Sequence, residues 1–259
     1  MTKIAVTGAT GRLGRPLVDV LEEQGHEVVP IARSKGVDVI TGEGLAEALD
    51  GVDAIVDAAT SPSPDEQEAT NFFTTSARNL HEVGAEAGVK RIVLVSIIGI
   101  DKFKTGYNAA KLAQEQAALA GPIPTRILRA AQFHEFVEQL LDWGRQGDVA
   151  YVAAMRTQVV AARTVAETLA ELVLDAEPTG PTLEIAGPRA ERLVDLARLV
   201  AAHRGESLQV FETTEYFPEG ELYDSGAALP GPGAKLAGPT FEEWLKALPE
   251  PAGTGDRLG

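Results

Sequence analysis

The chain contains no cysteine. Disulfides, thiol nucleophiles and cysteine-ligated metal sites are excluded together. Positive charge is also scarce: 23 lysines and arginines stand against 38 aspartates and glutamates, a net charge of −15. That balance argues against nucleic acid or an anionic membrane as partner. No apolar run approaches the roughly 20 residues of a membrane span. The opening MTKIAVTGAT is neither a signal nor a transit peptide, so a cytoplasmic location is expected. The four histidines, His26, His81, His134 and His203, are scattered and show no metal-ligand spacing; no metal is expected. A Gly-x-Ser-x-Gly elbow and a phosphate-loop lysine are missing as well, as are internal repeats and low-complexity blocks.

What is present is an alternation. At 259 residues, 44% hydrophobic and 24% charged, the chain suits one large α/β domain or a domain with a smaller lobe. Strands are expected at Lys3–Thr7, HEVVPIA, GVDVI, VDAIVDAA, RIVLVS and TRILRA. Helices are expected between them, at Arg12–Gln24, Gly44–Leu49, Phe72–Ala87 and Asn108–Ala120. Strands that alternate with helices indicate a doubly wound parallel sheet. After Arg129 the rhythm loosens. Helices at Phe133–Gln146, Thr164–Leu174, Arg192–His203 and FEEWLKAL are expected there, with strands at PTLEIAG and SLQVFET. GAALPGPGAKLAGPT reads as a surface loop, and the terminal PEPAGTGDRLG as frayed. The division is therefore a Rossmann domain over residues 1–130 and a smaller C-terminal lobe over residues 131–259, interleaved with the same core.

Three features carry chemistry. The first is TGATGRLG, Thr7–Gly14, with Gly8, Gly11 and Gly14 between the first strand and the first helix. Glycines there allow a tight turn, close approach of a pyrophosphate and close helix–strand packing, and the helix N-terminus offers free N–H groups to an anion. The second lies at the end of the second strand. An acidic residue there would hold an unmodified ribose; the sequence has Arg33, Ser34 and Lys35 instead, with Arg12 in the glycine turn. A basic cluster in so acidic a chain favours a 2′-phosphate, hence NADP(H), against the alternative of a solvated basic loop. The third is YNAAK. Tyr107 and Lys111, four apart, share a helix face, and a lysine ammonium there would lower the phenol's pKa and prepare it for proton exchange. The alternative is an ordinary helix surface.

The glycine turn, VDAIVDAAT, NLHEVGAEAGVKRIVLVSIIGID, YNAAKLAQE and TRILRAAQFHEF together resemble the short-chain dehydrogenase/reductase superfamily, and within it the atypical NmrA-like branch. The likeness runs from Thr2 to Phe136 and continues loosely through LEIAGPRAERLVDLARLVAAHRG. It implies that Gly8, Thr10, Gly11, Arg12, Leu13 and Gly14 hold the pyrophosphate, and Arg33 and Ser34 the 2′-phosphate. It places Ala58, Ala59 and Thr60, at the end of the fourth strand, along the cofactor ribose. Tyr107 and Lys111 match the catalytic pair, with Lys111 also on the nicotinamide ribose. The superfamily's third catalytic group is a serine or threonine near this strand. Ser96 is the one hydroxyl in VSIIGID, and Ile98 stands at the aligned position, so Ser96 is either catalytic or a cap on the strand end.

Gln132, Phe133, His134, Trp143 and Met155 are expected to line a substrate pocket beyond the strands' carboxyl ends, with a helix-edge histidine as the competing reading of His134. The expected function is NADPH-dependent reduction of a small, largely apolar carbonyl compound. The branch also holds non-catalytic NADP(H) sensors, and sugar-nucleotide epimerases share the fold. A homodimer is compatible with the sequence.

Overall fold

A computed structural model describes residues 1–175, 182–215 and 218–249. The chain divides into two compact units: Met1–Ala130 with Ala162–Ile185 and Pro230–Lys235, and Ala131–Ala161 with Ala186–Leu229 and Leu236–Gly259.

The first unit opens with β1 (Lys3–Thr7), α1 (Gly14–Glu23), β2 (Glu27–Ile31), α2 (Leu45–Ala48) and β3 (Ala54–Asp57). It continues with α3 (Glu66–Glu86), β4 (Arg91–Ile97), α4 (Gly106–Ala120) and β5 (Thr125–Ala130). A seven-stranded sheet runs in the order Lys235–Leu236, Thr182–Ala186, β5, β4, β3, β1, β2. The pairings from β2 across to Thr182–Ala186 are parallel. β1 has β2 on one side and β3 on the other, so the strand order reverses there. The crevice at the carboxyl ends of β1 and β3 is thus the place where ligands bind in such sheets.

Residue size explains the packing. Ile92 and Leu94 of β4 share one face; Leu94 joins Ala77 of α3, Ala118 of α4 and Ile127 of β5 in one apolar cluster. Ala69, Phe73 and Ala110 form a second α3–α4 cluster, joined by Phe72 and Tyr107. Small residues along the α3–α4 seam let the helices approach closely, and that seam carries Tyr107 and Lys111 on one side and Phe73 on the other.

Two expectations need correction. GVDVI, residues 36–40, is not a strand. After β2 the chain turns through a short 3₁₀ segment, Arg33–Lys35, and Gly36 takes a left-handed φ of 78°. The Asp38 carboxylate then accepts from the backbone N–H groups of Ile40 and Thr41, and the Asn79 amide donates to the carbonyls of Val39 and Ile40. Side chains take the bonds that a neighbouring strand would have made. Ala58–Thr60 therefore follow the third strand, not the fourth. α3 also begins six residues before Phe72, because Asp65 caps it by accepting from Glu68 N at 3.0 Å.

The second unit packs helices His134–Trp143, Leu193–His203 and Phe241–Ala247 with a three-stranded sheet. Val149–Ala153 is its central strand, between Gln209–Thr213 and Arg145–Gln146. Val137, Leu141, Val152, Met155, Leu196, Val200 and Phe241 are among its core residues. The strand Val149–Ala153 and a helix at Gly220–Ser225 were not anticipated. The expected fraying lies at residues 249–259, which fall outside the described residues beyond position 249.

Candidate functional site

The glycine turn is built by packing before any ligand is considered. Gly8 has a φ of +63°, and a Cβ there would lie 2.6 Å from the Ala58 carbonyl oxygen. A Cβ on Gly14 would lie 2.1 Å from the Gly8 carbonyl oxygen. Only glycine permits both approaches. Gly11 N–H donates to Gly8 O at 2.8 Å and closes the turn. No side chain caps α1; Arg15 N–H donates to Gly11 O and Pro16 has no N–H, so of the first-turn N–H groups those at Leu13 and Gly14 are left to an anion, which the helix dipole favours there. Thr10, Gly11 and Arg12 are exposed around it, while Leu13 is buried. Arg33, Ser34 and Lys35 are exposed on the 3₁₀ turn after β2. This donor set suits a dinucleotide phosphate group.

Behind the turn lies a buried polar chain. Thr7 is fully buried, and its hydroxyl donates to Asp57 Oδ1 at 2.5 Å. The same hydroxyl oxygen accepts from the backbone N–H groups of Ala58 and Ala59, each at 3.1 Å. Asp57 Oδ2 accepts from Gln114 Nε2 at 2.9 Å, and Gln114 Oε1 accepts from Lys111 Nζ at 2.6 Å. Thus β1, the segment after β3 and α4 are tied together. These residues were missed in the sequence, although two signals were legible: a carboxylate inside the apolar run of β3, and a glutamine three residues after Lys111 on the same helix face.

Tyr107 and Lys111 meet at Phe73. The Tyr107 ring stands edge-on to Phe73 with centroids 5.5 Å apart, and Lys111 Nζ lies 4.6 Å from the Phe73 centroid. The Tyr107 hydroxyl hydrogen-bonds the Thr60 side chain and the Ser61 backbone. The expected acidification of the phenol by Lys111 is not found. Burial pushes the Tyr107 phenol up to about 12, against the smaller opposing pull of Thr60 and Ser61. Burial brings Lys111 down to about 8, with Asp57 and Glu115 opposing. The tyrosine is held as a neutral proton donor, and the lysine carries the perturbed charge.

Ser96 is 2% exposed, and its Oγ has no hydrogen-bond partner among the described residues. It does not cap the strand end through its hydroxyl. Ile98 is equally buried. Arg129 fixes this region: it donates to both oxygens of buried Glu115, at 2.9 and 2.7 Å, and to Asp101 at 2.7 Å. α4 is thereby clamped to β5 and to the turn after β4.

The other site candidates belong to the second unit. His134 is fully buried, with its ring edge-on to Phe241 and Trp244 and its Nε2 3.1 Å from the Val159 carbonyl oxygen. Burial holds its pKa down, to about 4. Met155 lies in the same apolar core. Trp143 is 66% exposed and lines a shallow, largely apolar hollow of about 250 Å³ with Leu140, Gly144, Gln146 and Tyr151. Gln132 and Phe133 are half-buried.

A parallel sheet with a glycine turn at its strand-order reversal and an uncapped helix behind it defines a dinucleotide-binding Rossmann protein. Comparison with known proteins agrees. The family described as NAD(P)H-binding matches residues 8–176, and the chain belongs to that family. Photosystem II assembly factor Ycf39 of Synechocystis is 27% identical over 232 residues, which span 80% of this chain and 69% of that protein. L-arabinose 1-dehydrogenase (NAD(P)(+)) of Haloferax volcanii is 30% identical over 129 residues, 46% of this chain and 49% of that enzyme; the chain thus spans about half of the dehydrogenase. A short-chain dehydrogenase/reductase superfamily protein from Agrobacterium tumefaciens, solved with bound NAD, superposes with a TM-score of 0.66 at 18% identity. That superposition covers 94% of this chain and 95% of the other, a likeness of fold. Among the described residues no helix is long and apolar enough to cross a membrane.

Proposed function

We propose that the protein is an NADPH-dependent reductase of a small, largely apolar carbonyl compound. The observation that carries this reading is the placement of Tyr107 and Lys111, one helical turn apart on α4, together against the Phe73 ring. The phenol is anchored to Thr60 and Ser61, directly after the segment that closes on Gly8. In this reading the amides of Arg12, Leu13 and Gly14 hold the pyrophosphate, with Gly8, Thr10 and Gly11 forming the turn beside them. Arg33 and Ser34, assisted by Arg12, hold the 2′-phosphate. Ala58, Ala59 and Thr60 line the ribose, and the Lys111 ammonium donates to its hydroxyls. The bound nicotinamide supplies the hydride.

The chain's own contribution is the proton. A phenol held near 12 keeps its proton at neutral pH and can give it to the more basic oxygen that carbonyl reduction generates. Of the expected substrate set, Gln132 and Phe133 are half-buried and Trp143 is exposed, which leaves these three as the substrate candidates. His134 and Met155 serve packing instead.

A second reading, a non-catalytic cofactor sensor, is favoured by two observations. Isoleucine occupies the position expected for the third catalytic hydroxyl, and the match to an assembly factor spans 80% of the chain. Screening ketones, quinones and enones with NADPH separates the two. Turnover supports the reductase. A protein partner that binds one redox form of the cofactor alone, with no compound reduced, supports the sensor.

A further inference from the structure

We propose that Gln114 is a positioning residue: its side-chain amide holds the Lys111 ammonium in place and transmits to it the negative charge of Asp57. Gln114 is fully buried. Its amide has one orientation that works. The carbonyl faces the ammonium at 2.6 Å and the NH₂ faces the carboxylate at 2.9 Å; a flipped amide would set donor against donor and acceptor against acceptor. The amide dipole therefore points from carboxylate to ammonium, and its two hydrogen bonds polarise each other.

The charged and titratable groups around Lys111 come from three elements. α4 supplies Glu115 and Tyr107, β3 supplies Asp57, and α3 presents the uncharged Phe73 ring. Glu115 is matched by two hydrogen bonds from Arg129. Asp57 accepts from three neutral donors, Thr7, Ala59 and Gln114, and from no directly bonded cation among the described residues. Lys111 has three N–H groups and, among the described residues, one hydrogen-bond acceptor, Gln114. Burial alone drives a lysine toward its neutral form. The Asp57–Gln114 link works against that and keeps a cation where burial would remove it. It also ties Lys111 to Thr7 and to the Ala58–Ala59 amides, next to the glycine turn.

The inference deepens the proposed function, since Lys111 matters to turnover only where a cofactor ribose lies against it. The test is made on cofactor-free protein, so the two fail separately. Lysines isotopically labelled at Cε and Nζ are titrated by NMR, with the Lys111 signal assigned by its loss in Lys111→Met. The wild-type midpoint is expected near 8. Gln114→Met, close in shape but without the amide, should weaken proton affinity by about tenfold or more. Asp57→Asn should act in the same direction with Gln114 intact, and Gln114→Glu should act in the opposite direction. Should Gln114→Met not fold, as judged by circular dichroism, the other two variants carry the test. A Lys111 midpoint that stays at its wild-type value in the folded variants overturns the proposal. NADPH affinity unchanged in Lys111→Met would instead count against the placement of the cofactor.

Discussion

The state of His134 can be read from acid stability. Its Nε2 faces the Val159 carbonyl, and its Nδ1 is buried with no partner among the described residues. The neutral ring, with its proton on Nε2, suits that site. Protonation would create an N–H with nothing to accept it and a charge inside an apolar core. The pKa is accordingly held near 4, against an ordinary 6.5. Between those values the unfolded chain binds a proton that the folded chain refuses, so stability is full above pH 6.5 and is lost as pH falls toward 4. At about 1.36 kcal/mol per pH unit, His134 alone removes about 2 kcal/mol between pH 6.5 and pH 5. Urea unfolding of wild type and His134→Gln at pH 7.5 and pH 5 isolates this term, because carboxylates and the other histidines titrate alike in both. The wild type should lose about 2 kcal/mol more than the variant over that interval. Equal losses would mean that His134 titrates normally, which would return it to the substrate candidates and refute its assignment to packing.

Other outcomes follow from the same geometry. Arg33→Asp should cost a charge-assisted hydrogen bond of about 1.5–3 kcal/mol, lowering NADPH affinity on the order of ten- to a hundredfold while NADH affinity, measured by the same fluorescence titration, is retained. Gly14→Ala would force a Cβ to within 2.1 Å of Gly8 O; thermal denaturation should show a destabilised protein, and binding of both cofactors should fall. Arg129→Ala leaves the buried Glu115 carboxylate unpaired and should destabilise the fold by about 3–5 kcal/mol in chemical denaturation, a loss that Glu115→Gln in the same background should partly restore.

The Rossmann architecture was legible because its signals are local. A five-residue apolar strand followed by glycines, and the uninterrupted run RIVLVS, report burial on both sides of a sheet without knowledge of their neighbours. TRILRA matched its strand residue for residue, Thr125–Ala130. GVDVI failed because an apolar pattern does not say whether Asn79, forty residues away, will take the backbone bonds of Val39 and Ile40. The same holds at the site. The spacing of Tyr107 and Lys111 put them on one face, but their proton affinities depend on Phe73, Thr60, Asp57 and Gln114, which only the fold brings to them. His134 followed a strand end and looked available; Phe241 and Trp244, more than a hundred positions later, enclose it.

The central claim, that Tyr107 gives the proton in a reaction driven by NADPH, is tested most directly by Tyr107→Phe. The variant keeps the ring on Phe73 and removes only the acid. With a substrate found by screening, NADPH oxidation is followed in a single turnover for wild type and variant, alongside NADPH binding by fluorescence. The account predicts a rate lowered by about 10²–10⁴-fold with cofactor affinity unchanged. A variant that turns over at the wild-type rate would contradict it.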